Sequence, residues 1–375
     1  MTLLDDRPAA PGGPPPDGPP PAAAPPEVSD DARPIRSRSR DDKLNLVGAG
    51  VASLALVWVI YERLLPFSGK FGFVVLWYVV FLVLYTVLTA VNNPLPVVTD
   101  RLASSVMIAG PLIVLVALVS MVLFTFIKGW AAYTHVNFYT HDMGGVQPTA
   151  ALRHGGAEHA LVGTLIEVGI ATAIALPLGV GAAVYMTEVG GRLSRVVQTI
   201  VEAMTALPSI VAGLFIYTVL LKDLHFQASG FAASLALTVM GLPIMARASV
   251  VVLRVVPGGL REASLALGAG RWQTVWRVVL PTARPGLATA LILGIARMVG
   301  ETSPVLLTSG ASTFFNDNPV KNPMNSLPLY IYTAVRSGEV GNNVTRGFGA
   351  AAMLLVVVLI LFLTARFVAR EKKVR

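Results

Sequence analysis

The chain has no cysteine among its 375 residues, which excludes disulfide frameworks, thiolate zinc sites, iron–sulfur clusters and cysteine nucleophiles. Charge is scarce as well: 13% of the residues are charged, against roughly 25% in average soluble domains. An ordinary globular enzyme is thereby excluded. Apolar residues fill the space, at 54% of the chain and a mean hydropathy of +0.67. The net charge of +8 raises nucleic-acid binding as a possibility, and the positions of the charges decide against it below.

Residues 1–43 are a different material from the rest. Met1–Pro34 holds 11 of the 26 prolines and no aromatic residue. Such a segment cannot bury a core, so a disordered tail is expected. No apolar stretch follows the start closely enough for a signal peptide. The cluster Arg36-Ser37-Arg38-Ser39-Arg40 then precedes the first apolar segment, where solvated positive charge fixes orientation at a membrane surface.

Eight segments reach the ~20 apolar residues that a helix needs to cross a bilayer. They fall near 44–65, 71–91, 104–127, 160–186, 197–221, 229–249, 285–307 and 346–368. The fold class is therefore an all-α membrane protein, a polytopic bundle of about eight transmembrane helices. With the N-terminus in the cytoplasm, the inside segments carry twenty Lys and Arg and the outside loops eight, with Arg297 left within a span. That asymmetry puts both termini inside and accounts for the basic balance without nucleic acid. All five histidines (His135, His141, His154, His159, His225) then map outside. Their spacing suits no compact metal site, so loop polarity is taken to explain them. The outside segment 308–345 contains the apolar Leu329-Tyr330-Ile331-Tyr332 and reads as a structured element.

The inside loop 257–281 carries the strongest local signal. Pro257-Gly258 opens a turn, Leu260 to Leu267 reads as a short helix with Glu262 in its first turn, and Gly268 suits a left-handed stop. A second helix begins near Arg271, with Trp272, Val275, Trp276 and Val279 at helical spacing. Its apolar face needs a partner. The spacing Glu262-Ala263-Ser264, Gly268, Val278, Leu280-Pro281 resembles the EAA loop of ABC-importer permeases, with Ser264 and Val278 as mild departures. The resemblance implies that Glu262, Ala263, Ser264 and Gly268 couple the chain to an ATPase subunit. A hairpin that only braces two spans is the plainer alternative. The chain itself offers no Walker A loop, since its one Gly-Lys pair, Gly69-Lys70, is followed by Phe71.

The seventh span contains Arg297-Met298-Val299-Gly300-Glu301-Thr302-Ser303-Pro304. Arg297 and Glu301 are spaced i, i+4 and can pair on one face. An arginine at membrane depth is costly unless paired or wet, so such residues usually line a pathway. Its planar fork also suits phosphate geometry. A switchable pair, in which an anion competes with Glu301 for Arg297, is expected; a static pair that locks helix packing is the alternative. Glu167, Glu202 and Thr302 can line the same pathway, with a hydrogen-bonded packing role as the alternative for Glu167 and Glu202.

Arg-Met-Val-Gly-Glu-Thr-Ser-Pro is similar to the Arg-x-x-Gly-Glu-Thr-x-Pro signature of the A-type permease family of phosphate-specific ABC importers. Ala206-Leu207-Pro208-Ser209-Ile210-Val211-Ala212-Gly213, Leu253-Arg254-Val255-Val256-Pro257 and Ser326-Leu327-Pro328 resemble that family too. The resemblance covers roughly 155–370. It implies a permease domain over 100–375 and an additional transmembrane hairpin at 44–95. It also implies inorganic phosphate as cargo and a multi-pass position in the inner or plasma membrane lipid. The implied partners are a second related permease subunit, two ATP-binding subunits and an extracytoplasmic phosphate-binding protein. No cofactor and no catalytic residue are implied for this chain. Another oxyanion such as molybdate or sulfate stays open as cargo. So does an ATP-independent channel or secondary transporter, although the inverted repeat that would mark one is not seen.

Overall fold

Backbone groups in a bilayer have no water to bind, so an apolar run of ~20 residues has to satisfy them within itself, as a helix. The computed structural model describes residues 40–64, 69–337 and 341–368, and every regular element among them is helical. The Pro-rich tail expected over 1–43 lies outside the described residues except for 40–43, which open the first helix. The chain divides into two units, 1–114 and 115–375.

In the first unit α1 (Arg40–Val59) runs into a π-helical turn, Ile60–Leu64, and α2 (Lys70–Asn92) returns beside it. Trp77 Nε1 donates to the Gly50 carbonyl at 3.4 Å. Tyr61 donates to the Gly69 carbonyl at 3.0 Å and meets Phe73 edge-on. Ala49, Ser53 and Val57, four apart, form the buried face of α1, and small residues there let the helices approach closely. Most of the remaining large apolar side chains of the hairpin are exposed, as lipid-facing surface would be. The helix α3 (Leu95–Tyr133) is 39 residues long and carries the boundary between the units.

The second unit continues with α4 (Asn137–Thr140), then α5 (Glu158–Val184) with a π-helical end at Tyr185–Val189. Next come α6 (Arg192–Ala206), α7 (Ser209–Ile216) with a π-helical end at Tyr217–Asp223, and α8 (Gly230–Val255). The loop helices α9 (Gly258–Ala266) and α10 (Arg271–Thr274) follow, and the π-helical turn Val275–Val279 leads directly into α11 (Leu280–Val299). The last elements are α12 (Ser303–Thr308), α13 (Leu327–Arg336) and α14 (Asn342–Val368). Small residues set the core. Met298 of α11 lies over Gly241 of α8, and Met245 of α8 lies over Gly294 of α11, so each methionine fills the space left by the other helix's glycine. Gly179 brings α5 against Ala246 in the same way. A Cβ at any of the three would displace its neighbour.

Six helices are long and apolar enough to cross a membrane among the described residues, or seven if one bent pair counts as a span. Leu44–Val59 is a shorter apolar helix. The expected fifth span, 197–221, is that pair: α6 and the segment Ser209–Asp223 meet at 106°. Pro208 is the cause, because it forces the preceding Leu207 into extended backbone at ψ 129°. The expected seventh span, 285–307, is also interrupted. α11 ends at Gly300, and Pro304 restarts a helix as α12.

The connections between α3 and α5 and between α12 and α14 are ordered by side chains that reach far in sequence. Thr164 on α5 accepts a hydrogen bond from the Leu327 amide at 2.7 Å, at the point where α13 begins. Asp142 accepts from the amides of Gly144 and Phe315. Arg346 is 1% exposed and donates to the carbonyls of Pro148, Ala150, Ala151 and His154 at 2.8–3.0 Å. Its removal takes the guanidinium from all four, although Ala150 still accepts from Asn342 and Ala151 from the His154 amide, and each charged bond is worth about 1.5–3 kcal/mol. Arg346→Met is therefore expected to free the 148–154 loop, and trypsin cleavage after the exposed Arg153 measures it. Cleavage no faster than in the parent would refute this role of Arg346. His159 corrects the expectation for the histidines. It is buried in α5 against the Tyr330 ring at 5.4 Å, so packing holds it and loop polarity does not explain it.

Candidate functional site

Of the expected pathway residues the structure brings two together. Arg297 Nη2 lies 2.8 Å from Glu301 Oε1, with the arginine side chain 54% exposed and the glutamate 9%. Both residues are placed by one helix end. Arg297 is in the last turn of α11, where the negative end of the helix dipole favours a cation. Glu301 follows the break at Gly300, and its amide bonds back to the Met298 carbonyl. The pair is asymmetric: the carboxylate is enclosed, and the guanidinium keeps most of its fork free. Glu301 Oε1 makes an ion pair but no aligned hydrogen bond. Thr302 is the neighbouring half-buried residue, and its carbonyl accepts from Leu306 to start α12.

The two other carboxylates lie elsewhere. Glu202 is on α6, exposed, and accepts a hydrogen bond from Gln198 at 2.9 Å. Glu167 is buried in α5, and its Oε1 has no hydrogen-bond partner. Both were picked out by residue type within an apolar run, which fixes depth in the chain but not the side a residue faces.

The 257–281 loop has two faces. Pro257 caps α9 in extended backbone, and the helix begins at Gly258. Glu262 consequently stands in the second turn rather than the first, outside the reach of the dipole argument. The stop at Gly268 is as expected, with φ +84°. Gly268 donates to the Leu265 carbonyl and Ala269 to that of Ser264, the pair of bonds that closes a helix around a left-handed glycine. Glu262, Ala263 and Gly268 are exposed, as are Leu260, Leu267, Trp272 and Trp276. Ser264 is half-buried and shares a hydrogen bond with Thr274 at 2.9 Å. Residues three apart on α9, Arg261 and Ser264, thus face inward, and a row of carboxylate and apolar side chains faces out. The sequence carries no local sign of Arg261's role, because its partner, Glu188, is 73 positions away.

Long apolar helices, an ion pair on a broken span and a short helix with an open apolar face describe a membrane transport subunit. Residues 175–374 match the family of binding-protein-dependent transport system inner membrane components, and the chain belongs to that family. It is 41% identical over 280 residues to the phosphate transport system permease protein PstA 1 of Mycobacterium tuberculosis, covering 74% of this chain and 91% of that protein. It is 32% identical over 254 residues to the phosphate transport system permease protein PstA of Haemophilus influenzae, covering 67% and 87%. Among solved structures it is similar to the MetNI methionine ABC transporter in an inward-facing conformation. That match has 25% identity, covers 56% of this chain and 89% of that one, and has a TM-score of 0.42.

Proposed function

We propose that the chain is the membrane-spanning permease subunit of an ABC importer that carries inorganic phosphate into the cytoplasm, with ATP hydrolysed by separate subunits. The observation that carries the cargo is the Arg297–Glu301 pair. A half-exposed guanidinium beside an enclosed carboxylate lets a phosphate oxygen pair take the free fork while Glu301 balances the charge between transport events. The names of the relatives support the same cargo. The complex comprises a second related permease subunit, two ATP-binding subunits and an extracytoplasmic phosphate-binding protein, and this chain binds no cofactor. Both termini lie in the cytoplasm, so that α9 meets the ATPase and the 134–157 and 309–326 segments form the outer mouth. Glu262, Ala263 and Gly268 form the coupling surface, and Ser264, which faces inward, ties it to Thr274.

The complex purified from its native membrane, with the binding protein added, is expected to hydrolyse ATP faster with phosphate but not with sulfate or molybdate. Stimulation by another oxyanion would replace the cargo. Absence of any copurifying ATPase, under conditions that preserve a control importer, would point to a channel or secondary transporter.

A further inference from the structure

Glu188 stands in the π-helical end of the α5 span, near the negative end of a helix dipole, where a carboxylate is unfavourable unless something compensates it. The compensation is Arg261. Its Nη2 lies 2.9 Å from Glu188 Oε1 and its Nε 3.2 Å from Oε2, with side-chain exposures of 24% and 13%. The same guanidinium donates to the Leu253 carbonyl at 2.9 Å and the Val256 carbonyl at 2.7 Å. Both carbonyls stand at the end of α8: that of Val256 lies past the helix's own ladder, and that of Leu253 accepts from the Val256 amide as well. One planar fork thus ties α9 to the ends of two spans, a task that a lysine's point charge cannot perform. On the other side of the loop, Ser264 bonds Thr274, which is buried in the segment that continues without a break into α11.

We infer that Arg261 and Glu188 form a latch, a positioning pair that makes α5 and α8 move with α9. This rests on the importer assignment above, in which α9 is the element that an ATPase displaces. The chain of contacts from there is continuous. α5 packs on α8 at Gly179, α8 packs on α11 at Gly241 and Gly294, and the last turn of α11 carries Arg297. Without the latch, a displaced α9 would turn about the extended Val256-Pro257 link, and the spans would receive less of the movement.

The test uses the complete complex in proteoliposomes and compares Glu188→Gln with the parent. Phosphate moved per ATP hydrolysed is read together with the deuterium exchange of the 258–266 amides. The latch predicts that the ATPase subunits still copurify, that the α9 amides exchange faster, and that phosphate moved per ATP falls at least about five-fold. Because the chain has no native cysteine, a Glu188→Cys/Arg261→Cys double variant, in a complex whose other subunits also lack cysteine, adds a rescue. A short bis-maleimide bridge between the two thiols should restore the ratio. A ratio within about two-fold of the parent, or unchanged α9 exchange, would overturn the latch. If the parent is stimulated by sulfate or molybdate instead, the phosphate assignment falls alone and the ratio is read with that anion. A parent without any ATPase removes the importer assignment, and the latch's role with it.

Discussion

Arg297→Gln is expected to reduce phosphate uptake at least about tenfold, the loss of at least about 1.5 kcal/mol that accompanies removal of a charged hydrogen-bond partner. Assembly with the other subunits should survive, because the arginine side chain is 54% exposed and little of the chain's own packing rests on it. Arg297→Lys should fall between, since it keeps the charge and loses the fork. The single variant leaves Glu301 enclosed without its counter-ion, so a purely structural pair would also damage the protein. The double variant Arg297→Gln/Glu301→Gln separates the two cases. If the pair only locks helices, neutralising both partners relieves the unpaired carboxylate and uptake returns. If the guanidinium meets the anion, the double variant assembles and uptake stays low. Uptake by the single variant with an unchanged phosphate dependence would remove Arg297 from the pathway altogether.

Helix positions were legible wherever one physical constraint dominated. The apolar runs 71–91, 104–127, 160–186 and 346–368 each fall within one continuous helical stretch, and 229–249 does so from Gly230 on, because a bilayer offers a spanning segment no other way to satisfy its backbone. The stop at Gly268 was legible for a similar reason, since a left-handed residue after an amphipathic turn favours glycine. The bend at Pro208 was not, although the proline was in plain view. Hydropathy averages over a window, and Leu207–Pro208 leaves the average untouched while turning the chain by 106°. Long-range polar contacts were illegible for another reason. Arg261 finds Glu188 across 73 positions, and Arg346 reaches the 148–154 carbonyls across nearly 200. Neither contact leaves a periodicity behind. Both arginines were counted as charges that orient loops, and the structure shows what each one holds. The Arg297–Glu301 pair was legible because its partners are one helical turn apart.

Glu262→Arg should abolish uptake by detaching or uncoupling the ATPase, and the reason lies outside this chain's own fold. Glu262 is exposed on α9, while Arg261 beside it turns inward to Glu188. Substitution at 262 therefore leaves the latch and the helix stop at Gly268 in place. The dipole contributes little, because the helix begins at Gly258 and Glu262 is already past its first turn. What changes is the face that Glu262 shares with Leu265 and Ala266, three and four residues on, which is apolar, open and marked by one carboxylate. Reversing a charge within a buried interface costs about 2–5 kcal/mol, and each ~1.4 kcal/mol is tenfold in affinity. Copurification of the ATPase should drop accordingly, with the variant chain still inserted and folded. Glu262→Gln makes the finer distinction, because it keeps shape and loses only charge. If Glu262 pairs with a cation in the docking groove, Gln weakens copurification and Arg eliminates it. Normal copurification and normal uptake by Glu262→Arg would show that α9 docks elsewhere, and the open face at Trp272 and Trp276 would then be the surface to test.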